Sequence, residues 1–253
     1  MSLLLKAIQV LLSDKVYPFF SFDINNLNYV FKAIEETRSQ LPQDIPLIGF
    51  CGSPWTLAAY SIEGGGSKDF HKTKTFLREH PDELQDFLQI LSNACYEYLR
   101  QQVLSGVSAL QIFDSWADLL SDAELEKFSL KYTRMLCKLL KEDPLTASIP
   151  IILFEKSPNN KVENIIFDEI TCISLYWKED IESISKNFKD LFAIQGNLDP
   201  KVLLESDELI LEETQRICTI MKDYPGFIFN LGHGITPNID PKKVQVMIDA
   251  IRQ

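Results

Sequence analysis

Three side chains stand where this sequence offers chemistry. Tyr60 lies just beyond Gly52-Ser53-Pro54-Trp55, Ser115 sits inside Asp114-Ser115-Trp116, and His233 sits inside Gly232-His233-Gly234. A phenol, an alcohol and an imidazole can each donate a hydrogen bond, and the imidazole also exchanges a proton near neutral pH. Each has a plainer reading beside this one. Tyr60 fits a core tyrosine with its hydroxyl at the surface, and Ser115 fits a backbone cap just past a strand. His233, between glycines, is not in a usual core setting. Other chemistries find little support. The five cysteines (Cys51, Cys95, Cys137, Cys172, Cys218) are scattered singly, and no pair has metal-ligand spacing. They read as reduced, mostly buried small hydrophobes of a cytoplasmic protein. Gly64-Gly65-Gly66 has the look of a phosphate cradle, but no Lys-Ser/Thr follows in register, so a flexible loop beside a site is expected. His71 and His80 lie in polar stretches and read as surface residues.

Six short apolar runs are expected to be the strands that carry these loops: Ile45–Cys51, Ala109–Phe113, Ile149–Phe154, Ile170–Tyr176, Leu191–Gln195 and Gly226–Leu231. Several are apolar without alternation, as strands covered on both faces are. Phe113, at the end of one run, reads either as pocket lining or as barrel core, with core the better fit. Helical stripes fall between the runs. Leu27, Val30, Phe31 and Ile34 form one, and Leu84 to Leu99 form a longer one entered through Pro81. Ser121 and Glu124 have capping-box spacing, and Ile181, Ile184 and Phe188 mark a further helix. Asp240 and Pro241 open the last one. Leu4, Leu5, Ile8, Leu11 and Leu12 recur at helical spacing, so an amphipathic helix, rather than a signal peptide, is expected near the start.

Strand then helix, repeated, signifies a parallel sheet with right-handed crossovers, either open and doubly wound or closed as a (β/α)8 TIM barrel. The polar or glycine-rich residues after nearly every strand favour the barrel. They include Glu155-Lys156-Ser157 and Gly196-Asn197-Leu198-Asp199, and in a barrel such residues converge on one mouth. A barrel needs eight strands and six are legible. The expectation is therefore a single barrel domain over residues 1–253, N-terminally incomplete, with the first one or two βα units missing. The net charge of −11 argues against nucleic acid. No apolar run approaches the ~18 residues of a membrane span.

Four segments carry a resemblance to a known family. They are Gly49-Phe50-Cys51-Gly52-Ser53-Pro54-Trp55-Thr56-Leu57 with Tyr60 and Glu63-Gly64-Gly65-Gly66-Ser67, then Gln111-Ile112-Phe113-Asp114-Ser115-Trp116-Ala117. Gln195-Gly196-Asn197-Leu198-Asp199-Pro200 is the third, and Asn230-Leu231-Gly232-His233-Gly234 with Pro237 and Asp240-Pro241 is the fourth. In this order and spacing they resemble uroporphyrinogen decarboxylases, from about Leu27 to the C-terminus. The resemblance implies a (β/α)8 barrel, a homodimer, and no metal or organic cofactor. It implies removal of the carboxyl groups from four acetate side chains of uroporphyrinogen III, giving coproporphyrinogen III in haem biosynthesis. It places Tyr60 and Ser115 against substrate and His233 near a carboxylate group. Such a site must stabilise a developing cation on the macrocycle, donate a proton to the new carbon, and hold eight carboxylates.

Two departures bear on that reading. Glu155-Lys156-Ser157 stands where the family has a small residue and glycine. No Arg-x-x-x-Arg occurs anywhere, and Asp23 does not match the family's pyrrole-binding aspartate in its surroundings. The catalytic residues are thus left unknown, and a chain of this charge without those arginines is expected to repel an octa-anion. A non-catalytic homologue that binds a porphyrinogen or a partner is the alternative. A zinc-dependent, corrinoid-linked methyltransferase shares the fold, but its ligands are missing: Gly234 and Ile235 follow His233, and no cysteine follows Cys218.

Overall fold

A computed structural model describes residues 23–156, 162–189 and 191–252. The expected N-terminal helix and Ser157 lie outside these. The chain is a parallel α/β protein with six strands among the described residues, and it divides into two compact units.

The first unit holds residues 23–151 and Lys156. Its elements are α1 (Asn28–Gln40), β1 (Ile48–Gly52), α2 (Pro54–Glu63), α3 (His71–Glu79), α4 (Pro81–Leu104), β2 (Ala109–Asp114) and α5 (Lys131–Glu142). β1 and β2 pair in parallel, Ile48 opposite Ala109 and Cys51 opposite Ile112. Local chemistry sets the helix ends. Ser53 Oγ accepts from Thr56 N at 3.0 Å and Pro54 occupies the first turn of α2. Gly64, at φ 89°, closes it in the left-handed conformation. The capping box read from Ser121 and Glu124 is present, and leads through Asp122–Glu124 into a π-helical stretch, Leu125–Leu130, before α5. Leu84, Leu88, Leu91 and Leu99 of α4 are buried at helical spacing beside Trp55, Leu110, Ile112, Leu136 and Leu140 of the unit's core.

The second unit takes Ile152–Glu155 of β3 (Ile151–Glu155) and the described residues from 162 onward. Its other elements are β4 (Cys172–Ser174), α6 (Ile181–Asn187), β5 (Ala193–Leu198), α7 (Asp207–Met221), β6 (Phe227–Leu231) and α8 (Pro241–Ile251). β3 pairs with β4, β4 with β5 and β5 with β6, all parallel. Asp180, Ser206 and Asp240 cap α6, α7 and α8 with their side-chain oxygens. Leu153, Ile173, Leu175, Ile194, Leu203, Ile210 and Ile217 form the core. No helix among the described residues is long and apolar enough to cross a membrane.

The packing of α4 is directly testable. Leu88 is fully buried, whereas Leu104 at the end of the same helix is 51 % exposed. Leu88→Ala should cost about 2–5 kcal/mol in urea unfolding, and Leu104→Ala no more than about 0.5 kcal/mol. Equal effects would contradict this packing.

Candidate functional site

Tyr60 and Ser115 meet in one cavity of the first unit. It has a volume of about 330 Å³ and is lined by the ends of β1 and β2, one side of α2, part of α4 and the start of α1. Tyr60 comes from α2 and Ser115 from the residue directly after β2, and both are half-buried. The Tyr60 ring packs edge-on against Phe70 at 6.2 Å and Trp116 at 5.9 Å between centroids, which fixes its place on the wall. Phe113, expected in the core, lines the cavity instead. It ends the strand, half-buried, with Phe50 edge-on at 6.0 Å. A strand-end aromatic leaves the covered part of the sheet, which the apolar run alone does not reveal.

A carboxylate missed by sequence reasoning as a functional group fastens this wall. Asp114 is 1 % exposed. It accepts hydrogen bonds from Thr56 Oγ1 at 2.8 Å and from Ser129 Oγ. Burial raises its pKa above the ordinary aspartate value, while hydrogen bonds from Ser129, Thr56, Ser53 and the Trp116 backbone pull it back down. The end of β2, the first turn of α2 and the Leu125–Leu130 stretch are thereby tied to one residue. The sequence signal was present: an aspartate closing an apolar strand immediately before the candidate serine.

The cavity's polar groups are neutral. Its lining holds the thiols of Cys51 and Cys95, the hydroxyls of Tyr29, Thr56, Tyr60, Tyr98 and Ser115 and, among the described residues, no lysine or arginine. A hydrogen bond with Cys95, and then burial, push the Cys51 thiol well up, so it does not act as a thiolate nucleophile near neutral pH. Burial likewise raises the phenol of Tyr98. The lining can surround an apolar ring and donate hydrogen bonds to acidic substituents.

His233 belongs to the second unit, in the turn after β6. Its exposed ring lies 6.1 Å from Phe154 and 6.1 Å from Tyr176, near-perpendicular to both. Gly232 is required here by space, since a Cβ would stand 2.3 Å from the Trp177 backbone nitrogen. Asn197, at the end of β5, donates from Nδ2 to the carbonyls of Tyr176 and Glu179, at 3.1 and 2.8 Å. The loop that bears Tyr176 is therefore held from both β5 and β6. Glu179 in that loop is buried and accepts from Tyr176 N at 2.8 Å. Burial nevertheless pushes its carboxyl up to about 8, which no spacing rule signalled. At the β3 end, Glu155 is buried, and Lys156 pairs with Asp118 at 2.6 Å. His71 and His80 are exposed, as expected. Asp23 caps a 3-10 turn by accepting from Asn25 N.

Comparison with known proteins adds to this geometry. Residues 13–253 match the family described as Uroporphyrinogen decarboxylase (URO-D). The chain is 40 % identical over 228 residues to a uroporphyrinogen decarboxylase of Pseudomonas putida (strain GB-1), covering 90 % of this chain and 64 % of that protein. It is 38 % identical over 231 residues to one of Neisseria gonorrhoeae (strain NCCP11945), covering 91 % and 65 %. The chain thus spans under two thirds of the length of these relatives. Among solved structures, a methyltransferase from Methanosarcina mazei matches 90 % of this chain and 64 % of its own at a TM-score of 0.73 and 18 % identity. At that identity the likeness concerns fold alone, and with the family match it gives a parallel α/β fold of TIM-barrel type.

Glu179 gives the second unit a pH dependence of defined sign. Its folded pKa of about 8 lies above the ordinary glutamate value of 4.5, so the folded state holds the proton more tightly. Its contribution is fully present below about 4.5 and is lost as pH rises through about 8. Glu179→Gln should flatten the decline of Tm between about pH 5 and 8. An unchanged slope would contradict the burial argument.

Proposed function

Since the chain belongs to the uroporphyrinogen decarboxylase family, we propose that it decarboxylates the acetate side chains of uroporphyrinogen III toward coproporphyrinogen III. One observation carries the reading: two hydroxyls at family-motif positions, Tyr60 and Ser115, line the same largely apolar cavity. Loss of carbon dioxide leaves an electron pair on the methylene carbon. Protonation of the adjacent pyrrole makes that ring the electron sink; a proton added to the methylene carbon then completes the methyl group as the ring gives its own proton up, so one proton is consumed for each carbon dioxide released. An apolar wall of Phe50, Phe113 and Leu57 suits the face of a pyrrole, while Tyr60 and Ser115 donate to a side-chain carboxylate. The family resemblance separately puts His233, in the second unit, near a carboxylate group. Among the described residues no lysine or arginine lines the cavity, so the charge of eight carboxylates falls to groups beyond these. We infer in addition a homodimer, from the family resemblance, and a cytoplasmic setting, since no disulfide joins any of the five cysteines.

The test is anaerobic incubation of the folded chain with uroporphyrinogen III, the products being oxidised and separated by carboxylate count. Products with seven to four carboxylates are expected. Tyr60→Phe should lower kcat/KM by about ten- to a hundredfold, the scale of one lost hydrogen bond to a charged group. Binding of the porphyrinogen with no product would overturn the decarboxylase reading in favour of a binding-only homologue.

A further inference from the structure

A second cavity in the first unit, of about 540 Å³, shares no lining residue with the Tyr60 cavity. The helix α2 separates them: Trp55 faces this one, while Thr56, Leu57 and Tyr60 face the other. Apolar side chains such as Trp55, Leu77 and Phe128 make up most of the lining. Three cations join them: Lys74 and Arg78, one turn apart on α3, and Lys127 from the π-helical stretch.

This grouping runs against the chain's net charge of −11. The one acid in the lining, Glu124, is occupied in the capping box, where it accepts from Ser121 N at 2.9 Å and Ser121 Oγ at 2.6 Å. Neither Lys74 nor Lys127 takes part in a salt bridge among the described residues, and the Lys127 ammonium lies 5.0 Å from the centroid of the Phe128 ring. Arg78 reaches only Glu79, at 3.6 Å and with both side chains largely exposed, a contact that solvent screens heavily. The lining therefore carries three cations against one carboxylate, over apolar surface, in the size range of small-molecule sites.

We propose that this cavity binds a small amphipathic anion: a compact apolar body, ring-like in size, carrying one or two carboxylate, sulfonate or phosphate groups. The apolar lining takes the body and the three cations take the acid groups. An inorganic anion lacks the body and gains only screened attraction from exposed point charges. The proposal stands independently of the decarboxylase reading.

The probe is 1-anilinonaphthalene-8-sulfonate, titrated by fluorescence against the full chain at low salt. Saturable binding at one dominant site is expected, with Lys74→Glu/Lys127→Glu weakening it by about tenfold or more through loss of two charge-assisted contacts. Lys222→Glu/Lys242→Glu, on exposed lysines of the second unit, makes the same change in net charge and should leave binding within about twofold. Unchanged melting temperatures establish that both variants are folded. Binding that is absent, that survives the first pair of substitutions, or that falls equally with both pairs would overturn the proposal. Displacement of the probe by equimolar inorganic phosphate would also overturn it, because the apolar body would then contribute nothing.

Discussion

The buried carboxylate of Asp114 is the constraint on which the first unit's cavity depends. A charge-bearing group removed from water is costly unless hydrogen-bond donors replace the water. Here the donors come from two other parts of the chain, Thr56 at the start of α2 and Ser129 before α5. Satisfying one carboxylate therefore fixes where a strand ends and where a helix begins. Tyr60 lies one turn beyond Thr56, and Ser115 is the next residue after the carboxylate. Their shared position on one wall follows from that attachment more than from any contact between them.

Much of this architecture was legible in the sequence because its signals are local. All six strands lie where apolar runs placed them, and Ser121 and Asp240 cap as their types and spacing suggested. The errors in extent have causes. The first strand begins at Ile48 rather than Ile45, because Pro46 has no N–H to offer a ladder. Three strands run on through polar residues, Asp114, Glu155 and Asn197, where apolarity stops but the extended backbone does not. The helices α2, α3 and α7 were not anticipated. α2 is buried on most sides, at Trp55, Ala58, Ala59 and Ile62, so it shows no stripe. α3 has a single buried position, Thr73, and α7 buries Thr214 among its apolar residues.

The site was legible in its outline only. Motif order picked out Tyr60 and Ser115, and the cavity unites them. It could not show that Phe113 turns from core to lining, that Asp114 anchors both, or that Glu179 is held in a buried loop with a carboxyl pushed up to about 8. Each of these depends on residues distant in sequence that enclose the group. Charge follows the same rule. The composition gives −11 for the whole chain, yet one cavity of the first unit is lined by neutral groups and the other by three cations and a single acid.

Hydrogen exchange in Asp114→Asn, compared with the unsubstituted chain, addresses the anchoring most directly. The amide keeps the shape but removes the charge and one of the two accepting oxygens, so the hydrogen bonds from Thr56 and Ser129 are weakened. The account predicts that amides at 53–60 and 125–130 lose protection together, by about tenfold, while those of α7 in the second unit stay unchanged. Unaltered protection at 53–60 and 125–130, or a loss spread equally through α7, would contradict it.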